Sequence, residues 1–286
     1  MCRHLGYLGP QVRVGDMLTL GTHSLRTQAW APKDMRRGGT INADGFGVAW
    51  WRESDDDAVT VSRYRNSAPI WTDPAVEEVL PQLESWAVLA SVRSATVGMP
   101  IERTACAPFT HGRWAFSHNG VVSDWPRTLA AVAAEFDSTA AELGDGLFEP
   151  TRLLEAESAT DSATLWVLLR GLLATGAADG EWGAAPAALS LLVSAVLAHA
   201  PRSRLNFLLC DGTQLWATTW HHSLSALVTD DFAILASEPF DDDPRWQPIP
   251  DRSLVTARPG ALSIDPLPSA PTSPEYDDVN SKGTSI

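Results

Sequence analysis

Apolar runs alternate with turn-forming clusters through the first 125 residues. Gly45-Phe46-Gly47-Val48-Ala49-Trp50-Trp51 predicts a strand, Asp55-Asp56-Asp57 a turn, and Val59 to Tyr64 a second strand. Trp86 to Arg93 and Trp114 to His118 read as two more strands, each closing on a polar cluster. The period then lengthens. Thr128 to Phe136 is Ala-rich, and Leu165, Leu168, Leu169 and Leu172 recur at helical spacing over Asp161 to Leu173. Asp161 stands where an N-cap carboxylate would accept from free amides. Ala185 to Ala198 makes a third helix. Strands return at Arg204 to Cys210, Gln214 to Thr219, Ala226 to Thr229 and Phe232 to Ser237. Strands, helices and strands again predict a layered α+β domain rather than a doubly wound parallel sheet. From Asp265 the pattern fades into Pro, Ser, Thr and Asp, so residues 1–265 are expected to form the domain and 266–286 a disordered tail.

Composition narrows the function. At 286 residues the chain can bury a core without disulfides or metal. A formal charge of −14 repels phosphate backbones and anionic lipid, so neither nucleic acid nor membrane is an expected partner. Cys2, Cys106 and Cys210 are too scattered for a disulfide framework or a CxxC clamp. The N-terminal residues lack a signal-peptide apolar region, and Ala184 to Ala200 is short for a bilayer span. A cytoplasmic location is expected.

Candidate chemistry centres on Cys2. If Met1 is removed, one residue carries both a thiol and an α-amine whose reference pKa is about 7.7–8.0. That amine can accept the thiol proton and return it to a leaving amine, so no side-chain base is needed. The mechanism requires an oxyanion hole and substrate clamps. Ser117-His118-Asn119-Gly120 offers an Asn amide beside a Gly N–H, although Asn-Gly alone is a common turn. Arg93, closing a strand, offers a fork for a carboxylate, although a surface ion pair would use it equally. Asp161 can hold an ammonium group as well as cap its helix.

Met1-Cys2, Arg93-x-x-Thr96-x-Gly98, His118-Asn119-Gly120 and Thr160-Asp161-Ser162 together resemble the class II glutamine amidotransferases, which are N-terminal-nucleophile hydrolases. The resemblance implies a four-layer αββα sandwich over roughly residues 1 to 262. It makes Cys2 the nucleophile, Asn119 and Gly120 the oxyanion hole, Arg93 the α-carboxylate clamp and Asp161 the α-amine partner, with Thr96 and His118 at the substrate. The motifs Met1 to Gly6, Gln28 to Pro32, Asn42 to Gly47 and Ala236 to Asp243 are most similar to the γ-glutamyl hydrolase branch of ergothioneine biosynthesis. That likeness implies a γ-glutamyl-hercynylcysteine S-oxide substrate, with Trp30 and Asp44 on the leaving-group side.

One departure stands out. Where many amidotransferases have Asn-Ala-His-Pro, this chain has Ala105-Cys106-Ala107-Pro108, and Cys106 is read as structural. Asp55 to Asp57 and Asp241 to Asp243 read as solvated turns, and the adjacent His221 and His222 would face opposite sides of a strand. No metal or other cofactor is expected, and a homo-oligomer is left open. Two other readings compete: a glutaminase subunit serving a separate synthase, and a non-enzymatic scaffold of the same fold.

Overall fold

The computed structural model describes residues 2–34, 41–53, 58–143, 148–176 and 184–267. Met1, the Asp55 to Asp57 turn and the tail beyond 267 lie outside the described residues. In chain order the elements are β1 (Arg3–Arg13), α1 (Asp16–Thr19), α2 (Leu25–Gln28), β2 (Phe46–Glu53), β3 (Val59–Asn66), α3 (Ala75–Glu78) and β4 (Glu84–Val92). Then come β5 (Phe109–His111), β6 (Trp114–Val121), α4 (Trp125–Leu143), α5 (Asp161–Gly176), α6 (Ala184–His199) and β7 (Arg204–Cys210). The chain ends in β8 (Leu215–Thr218), β9 (Ser225–Val228), β10 (Ala233–Ala236), β11 (Gln247–Pro248), β12 (Ser253–Arg258) and β13 (Ala261–Pro266).

Two sheets pack face to face. One runs β11-β9-β10-β1-β4-β2-β3 and the other β13-β12-β8-β7-β6-β5. Side-chain alternation sorts the core into three layers. Leu5, Tyr7, Phe46, Val48, Val88 and Ala90 face outward under α1 to α3. Leu8, Ala49, Trp51, Leu89, Ala115 and Leu208 fill the space between the sheets. Phe116, Phe207 and Leu209 face the long helices, which contribute Leu165, Leu168, Leu169 and Leu192. The expected αββα sandwich is therefore present, with one helical layer made of very short helices.

Three local expectations need correction. Asn119 and Gly120 do not form a turn: they lie inside β6, opposite Asn206 and Leu205 of β7. A Cβ on Gly120 would lie 1.9 Å from the Arg204 carbonyl oxygen, so close strand approach, not turn geometry, requires glycine here. The cap of α5 is Thr160, whose Oγ1 accepts from the Ala163 amide at 3.2 Å, and Asp161 is the first helical residue. Asp265 and Pro266 still pair with Leu254 and Ser253, and Leu267 is buried, so the ordered domain passes the 265/266 boundary.

Candidate active site

At the Cys2 end of the sandwich, the space between the sheets changes from apolar to polar. Gly6 and Leu8 of β1 face the second sheet, so His4 and Cys2 share that face by alternation. Ser91 of β4 lies beside His4, and Ser117 and Asn119 reach in from β6 on the same face as Ala115. A cavity of about 20 Å³ is bounded by Cys2, Arg93, Ala107, Ser117, His118 and Ser162, among others. The Cys2 Sγ lies 3.7 Å from the Ser94 carbonyl oxygen. Of the residues expected from the sequence, Cys2, Arg93 and His118 line this cavity together.

Arg93 begins a loop that Asp44 braces. The Ala95 amide donates to Asp44 Oδ2 at 2.7 Å, the Asp44 amide to the Arg93 carbonyl at 3.0 Å, and the Arg93 amide to the Gly45 carbonyl at 2.8 Å. Gly45 has φ of +117°, and a Cβ there would meet Cys106 Sγ at 2.4 Å. Asp44 thus shapes the loop that carries Arg93. Thr96 is exposed at the tip, where its carbonyl accepts from Met99. Trp30 is 44% exposed and stands edge-on to Trp71, with ring centroids 5.4 Å apart. Neither Trp30 nor Asp44 lines the small cavity.

His118 is held on both ring nitrogens. Its Nε2 lies 2.9 Å from the Arg204 carbonyl, which can only accept, so Nε2 carries the proton. Nδ1 then accepts from Ser162 Oγ at 3.0 Å. Burial lowers the His118 pKa against the opposing effect of Asp161 and the Arg204 carbonyl, which keeps the ring neutral. With both nitrogens engaged inside the protein, His118 ties the Asn119–Gly120 strand to α5 while bordering the cavity beside Cys2. Asp161 is nearly buried; Oδ2 accepts from the Val122 amide at 2.9 Å and Oδ1 from the Ser162 amide at 2.7 Å. Each carboxylate oxygen has two lone pairs, so acceptor capacity remains for an ammonium group.

Asn119 is 1% exposed, and neither its Oδ1 nor its Nδ2 has a partner within the protein. The same is true of both ring nitrogens of His4 and of His222. Burial, then the neighbouring His118 and Arg3, lowers the His4 pKa to about 3. Burial, then Arg204 and His221, lowers that of His222 to about 2. His221 and His222 sit in a turn, with rings edge-to-face at 5.1 Å, rather than on a strand. Cys106 is fully buried beside the Asn66 carbonyl at 3.4 Å, and burial pushes its thiol up to about 11 despite Arg93 and Arg65. A thiol so placed is a structural group. Among the described residues no group of three or more His, Cys, Asp or Glu is arranged to hold a metal ion. None of the described helices is long and apolar enough to cross a membrane.

Sequence motifs far apart in the chain converge here. Gln28 Nε2 donates to the carbonyls of His23 and Glu238, Asn42 Nδ2 donates to the Gln28 carbonyl, and Arg3 pairs with Glu238. The model for the class-II glutamine amidotransferases matches residues 24–229, which include Arg93, Asn119, Gly120 and Asp161 but start downstream of Cys2. This chain belongs to that family. It is 38% identical over 269 residues to the gamma-glutamyl-hercynylcysteine sulfoxide hydrolase of Mycolicibacterium smegmatis, covering 93% of this chain and 100% of that protein. The protein of the same name from Mycobacterium tuberculosis is 39% identical over 272 residues, covering 94% and 98%. Among solved structures, a class-II glutamine aminotransferase domain protein from Silicibacter pomeroyi superposes with a TM-score of 0.59 at 21% identity, covering 94% of this chain and all of that one. The phosphoribosylpyrophosphate amidotransferase of Bacillus subtilis gives 0.55 at 15% identity, over 93% of this chain and 49% of its own. Both structural likenesses concern the fold. Ser162, His4, His222 and Glu238 were not legible as site residues, although Ser162, His4 and Glu238 each lie within a motif that carried the resemblance.

Proposed function

We propose that this amidotransferase-family chain hydrolyses γ-glutamyl-hercynylcysteine sulfoxide to glutamate and hercynylcysteine sulfoxide. The supporting observation is near-full-length identity of 38–39% to hydrolases bearing that name. Cys2, Arg93 and an unpartnered Asn119 gathered at one end of the sandwich are consistent with it.

In this reading Met1 is removed and the α-amine of Cys2 takes the thiol proton. Sγ attacks the γ-glutamyl carbonyl carbon, and the resulting oxyanion accepts from Asn119 Nδ2 and the Gly120 amide. The α-amine passes its proton to the leaving nitrogen, the C–N bond breaks, and a Cys2 glutamyl thioester remains. Water, deprotonated by the same amine, then attacks the thioester, releasing glutamate and restoring the thiol. Arg93 takes the substrate α-carboxylate and Asp161 its α-ammonium, with Thr96 at the loop tip beside them.

Purified protein should lose one Met by intact mass and release glutamate from γ-glutamyl-hercynylcysteine sulfoxide. Cys2→Ala should abolish that release. Faster glutamate release from free glutamine would make the chain a glutaminase instead, and release from neither would leave a scaffold.

A further inference from the structure

The antiparallel pairing of Leu5 with Ala236, continued along both strands, sets Ser237 opposite His4 and Glu238 opposite Arg3. The Ser237 amide donates to the His4 carbonyl at 2.9 Å, and the His4 amide donates to Ser237 Oγ at 3.0 Å. The strand that carries the nucleophile is therefore fastened at its first residues to the segment after β10. Arg3 is 1% and Glu238 3% exposed. A charge pair so deeply buried persists only if its polar atoms are satisfied.

They are satisfied in an unusual way. Arg3 Nε donates to Glu238 Oε1 at 2.8 Å, and Nη2 lies 2.8 Å from the same oxygen in the ion pair. The same guanidinium reaches backbone on two sides, from Nη1 to the Cys2 carbonyl at 3.1 Å and from Nη2 to the Asp34 carbonyl at 2.6 Å. Glu238 also accepts from the Asp34 amide at 3.1 Å, from the Lys33 amide at 2.8 Å and from His23 Nε2 at 2.7 Å. Burial opposes ionisation of Glu238. The bonds from His23, the Lys33 amide, Arg3 and the Asp34 amide outweigh it and hold the carboxyl below the usual range.

We propose that Glu238 is a positioning residue for Cys2: acting through Arg3, it fixes the nucleophile's backbone and the Lys33–Asp34 segment as one rigid unit. The inference rests on Cys2 being the nucleophile. Its physical content is that the Cys2 carbonyl is held by a guanidinium which is itself held at a second point. The Cys2 carbonyl is thereby a fixed pivot, and displacing it as a whole would break bonds from the guanidinium that the buried ion pair holds in place. Glu238 itself touches no reacting atom.

Two substitutions probe this without changing size greatly. Glu238→Gln replaces one acceptor oxygen by a donor, which must then face either Arg3 and the Asp34 amide or His23 and the Lys33 amide. Arg3→Lys keeps a positive charge beside Glu238, but one ammonium cannot reach the Cys2 carbonyl, the Asp34 carbonyl and Glu238 together. The readout is kcat for γ-glutamyl-hercynylcysteine sulfoxide per molecule that iodoacetamide alkylates at Cys2 but not at the buried Cys106 and Cys210, mapped by mass, so that unfolded protein is not counted. Displacement of a reacting group by about 1 Å can cost about a hundredfold. Both variants should lose about tenfold to a hundredfold in kcat per reactive Cys2, with KM changed less than threefold.

A purely structural role would lower the melting temperature and the number of reactive sites but leave kcat per site within twofold, and that result would overturn the proposal. If Glu238→Gln fails to fold, Arg3→Lys decides by the same measure. If alkylation of Cys2 in the unaltered protein leaves turnover intact, the nucleophile assignment is what fails. Positioning is then judged by the alkylation rate constant alone, and an unchanged rate in both variants refutes it.

Discussion

The two faces of β1 hold polar side chains in opposite circumstances. On the outer face, Arg3 is surrounded by acceptors, and the carboxylate it meets is surrounded by donors. On the inner face His4, and beyond it Asn119 and His222, are equally buried yet have no partner within the protein on any side-chain polar atom. A satisfied buried network makes a rigid frame, whereas a buried amide without partners costs stability, by about 1–3 kcal/mol for an unmet group. The arrangement makes chemical sense if the outer face holds the nucleophile still and the inner face keeps hydrogen-bonding capacity in reserve for a charge that appears only during reaction.

The sharpest way to break the outer face is Glu238→Ala, which strands the Arg3 guanidinium in the core. Loss of one partner of a buried pair typically costs about 3–5 kcal/mol, so chemical denaturation should show a loss of that order. Asn119→Leu should behave in the opposite sense. It should lower kcat by about 10²–10³, equivalent to about 2.7–4 kcal/mol of transition-state stabilisation, while leaving the denaturation midpoint unchanged or raised. A parallel loss of stability and rate in Asn119→Leu would erase the contrast between the faces.

Acid tests the inner face as a group. The unfolded chain protonates its histidines near pH 6.5, whereas folded His4 and His222 resist until about 3 and about 2, and burial also lowers His118. The unfolded state therefore binds more protons below pH 6.5, and stability must fall as pH drops from there toward the folded values. Each such histidine can contribute up to about 1.4 kcal/mol per pH unit. Unfolding free energy measured between pH 6 and 5, above the carboxylate range, should decline, and His4→Phe should flatten that slope. The smallest effect expected is that of Trp30→Ala. With 44% of the residue exposed and its ring edge-on to Trp71, stability should fall by about 1 kcal/mol. A tenfold or larger loss of kcat/KM for the trimethylated substrate alone would instead place Trp30 at the leaving group.

Much of the scaffold was legible. Helix-period leucines gave α5, continuous apolar runs gave β4 and β7, and Arg204 to Cys210 matches β7 at both ends. The most important strand, β1, was not read, because Gly6, Gly9 and Pro10 interrupt it and burial on both faces removes any alternation. The Asn119–Gly120 turn signal was overridden by tertiary pairing with β7, which supplies the close carbonyl that demands glycine. Chemically, Cys2, Arg93 and Asn119 were named from motif order. The roles of His118 and Asp44 depend on which atoms they meet, Arg204 and Ser162 for one and the Ala95 amide for the other, and no linear spacing encodes those meetings. The link from Arg3 to Glu238 spans 235 residues, beyond the reach of any periodicity argument.

That span has a consequence in time. β1 lies between β4 and β10, so its hydrogen-bond ladder is complete only when residues 233–236 are available. At a synthesis rate of about 5–20 residues per second, residue 236 follows residue 2 by roughly 10–50 s. For that interval the start of the chain is without half of its sheet, and without the glutamate that steadies Arg3. A processing peptidase acting on Met1 would meet an unpaired β1 during synthesis and, afterwards, a half-buried Cys2 next to the bond it cuts. The first chemical group to be made is among the last to be placed, so N-terminal trimming and folding would compete on the same clock.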